Sequence, residues 1–319
     1  LDKLLTHESI ENALRVLLAI GGSTNAVIHL TAIAGRVGKE VSLQTLNRLS
    51  DSTPLLVNLK PSGEHYMEHF FAAGGMGAVL RELKPLLNLN CRDIRGQTLE
   101  ERLKSEDNYV DHKVIRPLND PVENHGGLIA LFGSLAPQGS ILKRSAADSS
   151  LFERKGRAIV FNSLEDLSNR IDDSNLDVNK NDFLVLQNAG PRSGTGMPES
   201  GYLPIPSKLT KAGVKDMVRI SDARMSGTAF GTIILHVTPE ASVGGPLGLV
   251  RTGDIIELSV SKRLLDLKVP ANELKIRRNE FKKSSKMMMH NAQRGYSWLY
   301  HNHVMQADEG CDFNFLKAK

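Results

Sequence analysis

With 319 residues, 40% of them apolar and 24% charged, the chain is long enough for one large or two ordinary domains, each burying its own core. No apolar run approaches the ~18 residues of a membrane-spanning helix and nothing is low in complexity, so neither a membrane protein nor a disordered one fits. Lysine and arginine exceed aspartate and glutamate by 40 to 36, a formal net charge of +4, and the densest basic stretch, Arg277 to Lys286, lacks the interleaved aromatics and reading module of a nucleic-acid binder. It reads as a solvated helix face or loop.

The two cysteines, Cys91 and Cys311, have no C-x-x-C spacing, so neither a disulfide framework nor a zinc ribbon follows. A reducing compartment is expected: cytoplasmic, with a mitochondrial location as the alternative. The chain opens on LDKLLTHESIENALRVLLAI, without an initiator methionine and with an amphipathic helix already under way. That pattern predicts a chain that starts in the middle of something, with any targeting segment outside it.

From Thr6 to about Cys91 the pattern is helical. Ile10, Ala13, Leu14, Leu17 and Leu18 recur at helical spacing, GGSTN interrupts, and AVIHLTAIAG resumes. His29 falls on this second run and is expected to be a buried structural histidine. Ser42 is placed to cap a helix carrying Leu43, Leu46 and Leu49. STPLLVNLKPSG predicts a short buried strand and a turn, and EHYMEHFFAAGGMGAVLREL two helices around a glycine pair.

After about Lys113 the character changes. VIRPLNDPVENHGG reads as a linker or domain entry, and short apolar runs then alternate with turn residues: GLIALFGSL, GRAIVF, DFLVLQ, DMVRI, GTIILHV and DIIELSV. Six or more short strands at such spacing predict a β-barrel or sandwich with a few flanking helices. ANELKIRR predicts a closing helix, and the last forty residues a tail that packs back on the body. The fold expected is therefore α/β: a helical α/β portion over 1–118, then a β-barrel-like domain over 119–319.

Two turns could carry chemistry. In QNAGPRSGTGMPES, Glu199 follows a glycine-rich turn; an exposed loop acid is one reading, and a ligand for a hard cation such as Mg²⁺ is the other. In ISDARMSGTAFGT, Ser226 sits two residues after Arg224. Its hydroxyl either satisfies a backbone amide of the turn or takes part in proton transfer.

GGSTNAVIHL (Gly21 to Leu30), LKPSG (Leu59 to Gly63), GQTLEE (Gly96 to Glu101), GTGMPE (Gly194 to Glu199), ISDARMSGTAFG (Ile220 to Gly231), VGGPLGLVRTGDIIEL (Val243 to Leu258) and QADEGCDF (Gln306 to Phe313) stand in one order along nearly the whole chain. In that order they resemble the dihydroxy-acid and sugar-acid dehydratases. SDARMSGT and ADEGCDF are similar to the branch acting on aldonic acids such as arabinonate or xylonate; the branched-chain amino-acid branch has a motif closer to TDGRFSGG there.

The resemblance implies a hydro-lyase that removes water across C2 and C3 of a 2,3-dihydroxy acid, with an iron–sulfur cluster, read as 2Fe-2S, and Mg²⁺ as cofactors. It implies Ser226 as the base acting on the C2 proton, Thr228 beside the substrate, and Glu199 as a Mg²⁺ ligand. The partners implied are a small sugar acid and further copies of the chain, a dimer or tetramer, with no nucleic acid and no membrane.

The family's cluster cysteines, carbamylated lysine and remaining acidic ligands precede GGSTN, and none is present in this chain. The chain is thus expected to be a C-terminal portion, inactive alone. Thr195 stands where proline is usual, and GGMGAV around Met76 and Gly77 replaces GGLPAL; both bear on substrate identity. Dihydroxy-acid dehydratase of branched-chain amino-acid synthesis remains the enzymatic alternative, and a non-catalytic binding or assembly module the other.

Overall fold

The computed structural model describes residues 3–193, 202–226, 229–288 and 294–318, without the side chains of 284–288. Six α-helices occupy the first part: α1 (His7–Ala19), α2 (Thr24–Gly35), α3 (Leu43–Ser52), α4 (Met67–Ala72), α5 (Gly75–Glu82) and α6 (Leu99–Ser105). Their starts follow local capping chemistry. Thr6 and Ser9 exchange side-chain and backbone hydrogen bonds at the head of α1, Ser23 Oγ accepts from Asn25 N, and Ser42 Oγ accepts from Thr45 N. The stretch expected as a short strand is extended at Leu55 and Val57 but pairs only through single bridges to Glu123 and Ile115.

Eight strands follow: β1 (Ile129–Leu131), β2 (Gly139–Leu142), β3 (Glu153–Phe161), β4 (Phe183–Leu186), β5 (Arg219–Ser221), β6 (Ile233–Thr238), β7 (Ile255–Ser259) and β8 (Leu264–Leu267). Around them lie α7 (Leu164–Arg170), α8 (Ser207–Lys211), α9 (Ala271–Met288) and α10 (Gly295–His303). The sheet order is β1-β2-β6-β5-β4-β3-β7-β8. The central four strands, β6, β5, β4 and β3, run parallel, and the flanking pairs are antiparallel. Its two edges meet at Phe132, which donates to Arg263 O at 2.8 Å and accepts from Leu265 N at 2.7 Å. Closure of this kind removes the exposed edges of the sheet.

Alternation sorts the strand residues. Ile129, Leu131, Leu142, Ala158, Val160, Val185, Ile220, Ile234, Ile256, Leu258 and Leu265 fill the barrel interior, whereas Ile159, Phe161, Leu184 and Leu186 face outward against Leu167 of α7 and Ile171 just after it. Leu14, Leu18, Leu46 and Leu49 of α1 and α3 pack on the outer face of β1 and β2 at Leu128, Ala130 and Ile141. The helical portion is therefore seated on the barrel wall. A second helical core gathers Phe70, Val79, Leu83, Leu103 and Ile115.

Six of the strands lie in the expected runs; β2 and β8 were not among them. β2 begins on a glycine and a serine, and β8 carries an acid among its leucines, so neither reads as an uninterrupted apolar run. The last segment does pack back on the body: Ala307 and the half-buried Cys311 meet Ile28 of α2, and the Arg36 guanidinium reaches both Asp312 carboxylate oxygens at 2.6 and 2.8 Å. Among the described residues no helix is long and apolar enough to cross a membrane.

Candidate active site

β4 and β5 are parallel neighbours, paired Leu184 to Arg219, Val185 to Ile220 and Leu186 to Ser221. Two parallel strands deliver the chain to the same end of the sheet, the end at which open parallel sheets also bind their ligands. The segment leaving β4 leads to Glu199, and the one leaving β5 leads to Ser226.

The β4 exit is fixed first by Gln187, whose side-chain amide donates to Leu247 O at 2.7 Å and Val250 O at 3.0 Å. Asp222, the first residue after β5, ties the two exits together. One of its oxygens accepts from Ala189 N at 2.9 Å and the other from Ala241 N at 2.8 Å. Asp222 is only 1% exposed. Burial, then the nearby Glu240 carboxylate, push its pKa up to about 7, against the pull of those two amides.

Beyond Asp222, Ala223 O accepts from His236 N at 3.2 Å, and Met225 is buried beside Ile233 and Leu235. The Met225 carbonyl accepts from the Asn25 side chain at 3.1 Å. Ser226 is the exposed residue that follows, and its carbonyl accepts from Ala229 N at 3.0 Å, closing a turn. The far end of the turn is held by Arg219, which donates to Phe230 O at 2.8 Å and pairs with Asp216 at 3.1 Å. Gly231, with φ 115°, lies so close that an added Cβ would stand 1.9 Å from the Arg219 guanidinium. Only glycine fits both the backbone and the space.

Ser226 lines a cavity of about 640 Å³ together with Tyr202, Lys215, Arg219 and Phe230. Arg219 is balanced by Asp216, but Lys215 brings a positive charge to the cavity, which suits an anionic guest. Glu199 and Thr228 lie outside the described residues. The motif reading singled out Ser226 and passed over Asp222, Asp216, Arg219, Glu240 and Asn25; Asp222 stands inside ISDARMSG, four residues before Ser226.

His29 is a correction. It was expected on a buried helix face, but it is exposed. α2 buries Thr24, Val27, Ile28 and Ala34, so His29 and Ile33, four residues apart, share the opposite face; Ile33 is 47% exposed.

Among the described residues no group of three His, Cys, Asp or Glu side chains is arranged to hold a metal ion. The cysteines do not fit an iron–sulfur cluster either. Cys91 and Cys311 line different grooves, burial raises both thiol pKa values, that of Cys311 to about 12, and clusters are held by thiolates.

Comparison with known proteins agrees with this architecture. The family model for the dihydroxy-acid/6-phosphogluconate dehydratase C-terminal domain matches residues 113–311, and that for the N-terminal domain matches residues 1–102. The chain belongs to the dihydroxy-acid/6-phosphogluconate dehydratase family. It is 47% identical over 99% of its length to an L-arabonate dehydratase of Azospirillum brasilense, covering 55% of that protein. It is 46% identical over 98% of its length to a 6-deoxy-6-sulfo-D-gluconate dehydratase of Pseudomonas putida, covering 54% of that protein. A dihydroxy-acid dehydratase of Caldicellulosiruptor bescii is 39% identical over 96% of the chain, which covers 54% of it. The chain thus spans about half the length of the curated relatives it matches.

Proposed function

We propose that this chain carries the proton-abstracting side of a sugar-acid dehydratase, which converts a 2,3-dihydroxy acid of the aldonate class into a 2-keto-3-deoxy acid. The observation that carries the reading is Ser226: an exposed residue at the start of a segment held by Asn25 and Arg219, lining a cavity with Lys215. The Ser226 oxygen takes the proton from C2, the C2–H electron pair becomes the C2–C3 double bond, and the C3 hydroxyl departs as water with that proton, regenerating the serine oxygen. The resulting enol tautomerises to the 2-keto acid. A serine oxygen needs positive surroundings to act as a base, and Lys215 contributes in that direction.

Thr228 beside the substrate and Glu199 as a Mg²⁺ ligand belong to the same proposal, supported by their positions in sequence after β5 and β4. So do the iron–sulfur cluster and Mg²⁺, for which donors beyond the described residues are required; no step above is drawn through either. Inactivity of these 319 residues by themselves belongs to the same reading, supported by the chain's spanning about half the length of its relatives. A homo-oligomer is also part of the reading, supported by the exposed apolar side chains Phe71 and Ile94, 85% and 89% accessible.

The test supplies L-arabinonate and 2,3-dihydroxyisovalerate to the complete, cofactor-loaded enzyme and follows 2-keto acid. Turnover of the aldonate, lowered by about 10² or more in Ser226→Ala with cofactor content unchanged, is expected for loss of a general base. Preference for 2,3-dihydroxyisovalerate would move the assignment to branched-chain amino-acid synthesis. No turnover of either would favour a non-catalytic role, and near-normal turnover and C2 proton exchange in Ser226→Ala would reduce the serine to a turn residue.

A further inference from the structure

Glu240 follows β6 and lies 1% exposed. A carboxylate so deeply buried is costly unless its oxygens are satisfied. The partners here come from two segments far from it in sequence. Arg192 N reaches both oxygens at 3.0 Å, Ser193 Oγ donates at 3.2 Å, and the Gln306 side-chain amide donates at 2.7 Å. Gln306 also accepts from Glu240 N at 3.0 Å, so the two residues grip each other twice. A Cβ on Gly190 would lie 2.5 Å from the Glu240 carboxylate, so the glycine lets the 190–193 backbone approach.

The same segments are joined a second time. The Arg192 guanidinium donates to Val304 O at 3.1 and 3.0 Å, drawing the C-terminal segment onto residues 190–193. Ala241, next to Glu240, donates to Asp222, and Asp222 in turn holds Ala189 and begins the segment that ends in Ser226. Two distant stretches thus converge on Glu240, the exit of β4 and the segment around Gln306, and its neighbour Ala241 adds the exit of β5. Ordinary anchoring of the end of β6 would need only one of them.

We propose that Glu240 is a positioning residue of the site, setting residues 190–193, which precede Glu199 in the chain, against the C-terminal segment and, through Ala241 and Asp222, against the strand exit that leads to Ser226. It touches no reacting atom. The assignment rests on the reading of Ser226 and Glu199 given above, but its geometry can be tested without turnover.

The test compares amide hydrogen exchange in the wild-type chain, Glu240→Gln and Glu240→Ala. Exchange at Arg192 and Ser193 should accelerate tenfold or more in Glu240→Ala and less in Glu240→Gln, while Val185 and Ile234 in the barrel keep their protection. In the complete enzyme the same variants should lower kcat more than they raise KM, with partial recovery in Glu240→Gln. Unchanged exchange at Arg192 and Ser193 in both variants would overturn the proposal. Should Glu240→Ala fail to fold, Gln306→Ala removes the other half of the grip and must also loosen residues 192 and 193; unaltered exchange there would overturn it equally. Accelerated exchange in an enzyme that turns over no 2,3-dihydroxy acid would leave the positioning role standing and refute the dehydratase reading instead.

Discussion

The Asn25 side-chain amide, at the head of α2, donates to the Met225 carbonyl at 3.1 Å across 200 residues of sequence. It couples the helical portion to the backbone immediately before Ser226. Replacing Asn25 by alanine removes a donor worth about 1 kcal/mol while Ser23 still caps α2. Urea unfolding of Asn25→Ala should shift by about that amount, and turnover of the complete enzyme should fall several-fold. Equal activity in the variant and the wild type would make the contact a packing detail.

Asp222 predicts a pH dependence. Its pKa is pushed from 3.8 up to about 7 in the folded chain, so the folded state holds this proton more tightly than the unfolded one. The stabilisation is present in full below about pH 4 and is lost as pH rises through about 7. Asp222→Asn should remove that slope and, by losing one acceptor for Ala189 or Ala241, lower stability by about 1–3 kcal/mol at low pH. Urea midpoints taken between pH 4 and 8 check both parts, and a fall in stability above about pH 6.5 that persists in the variant refutes the assignment.

His236 acts in the opposite sense. Burial, then the Arg224 charge, lower its pKa from 6.5 to about 3, so the folded state disfavours the proton. Its stabilisation is present in full above about pH 6.5 and is lost as pH falls towards 3. Both ring nitrogens are buried without a hydrogen-bond partner among the described residues, and its backbone is left-handed at φ 56°. Asparagine tolerates that conformation, so His236→Asn should flatten the acid limb of the stability profile without straining the bulge between β2 and β6. Because Asp222 and His236 oppose each other between about pH 4 and 6.5, the wild-type profile there should be shallower than that of either variant.

Much of the architecture could be read along the chain. Capping by Ser42, the helical spacing in α1, the helices around Gly74 and Gly75, and six of the eight strands depend on interactions within about four residues or on short apolar runs between turn residues, which are local. The strands β2 and β8 could not be read because their identity as strands comes from their neighbours. The exposure of His29 was illegible for a related reason: α2 is apolar almost all round, so its pattern does not say which face meets the barrel.

The sequence by itself determined that a glycine-rich turn would present Ser226 just after an apolar strand, and that Glu199 would follow another; both are properties of contiguous residues. Only the tertiary structure decided that the two turns leave the same end of one sheet, because that depends on β4 and β5 pairing side by side and in parallel across a connection of more than thirty residues. It also decided that Asp222 and Glu240 are buried and bind backbone amides rather than solvent. An acid in a sequence is a surface residue by default; here barrel closure and the returning C-terminal segment exclude water from it, and the amides of three distant segments take water's place.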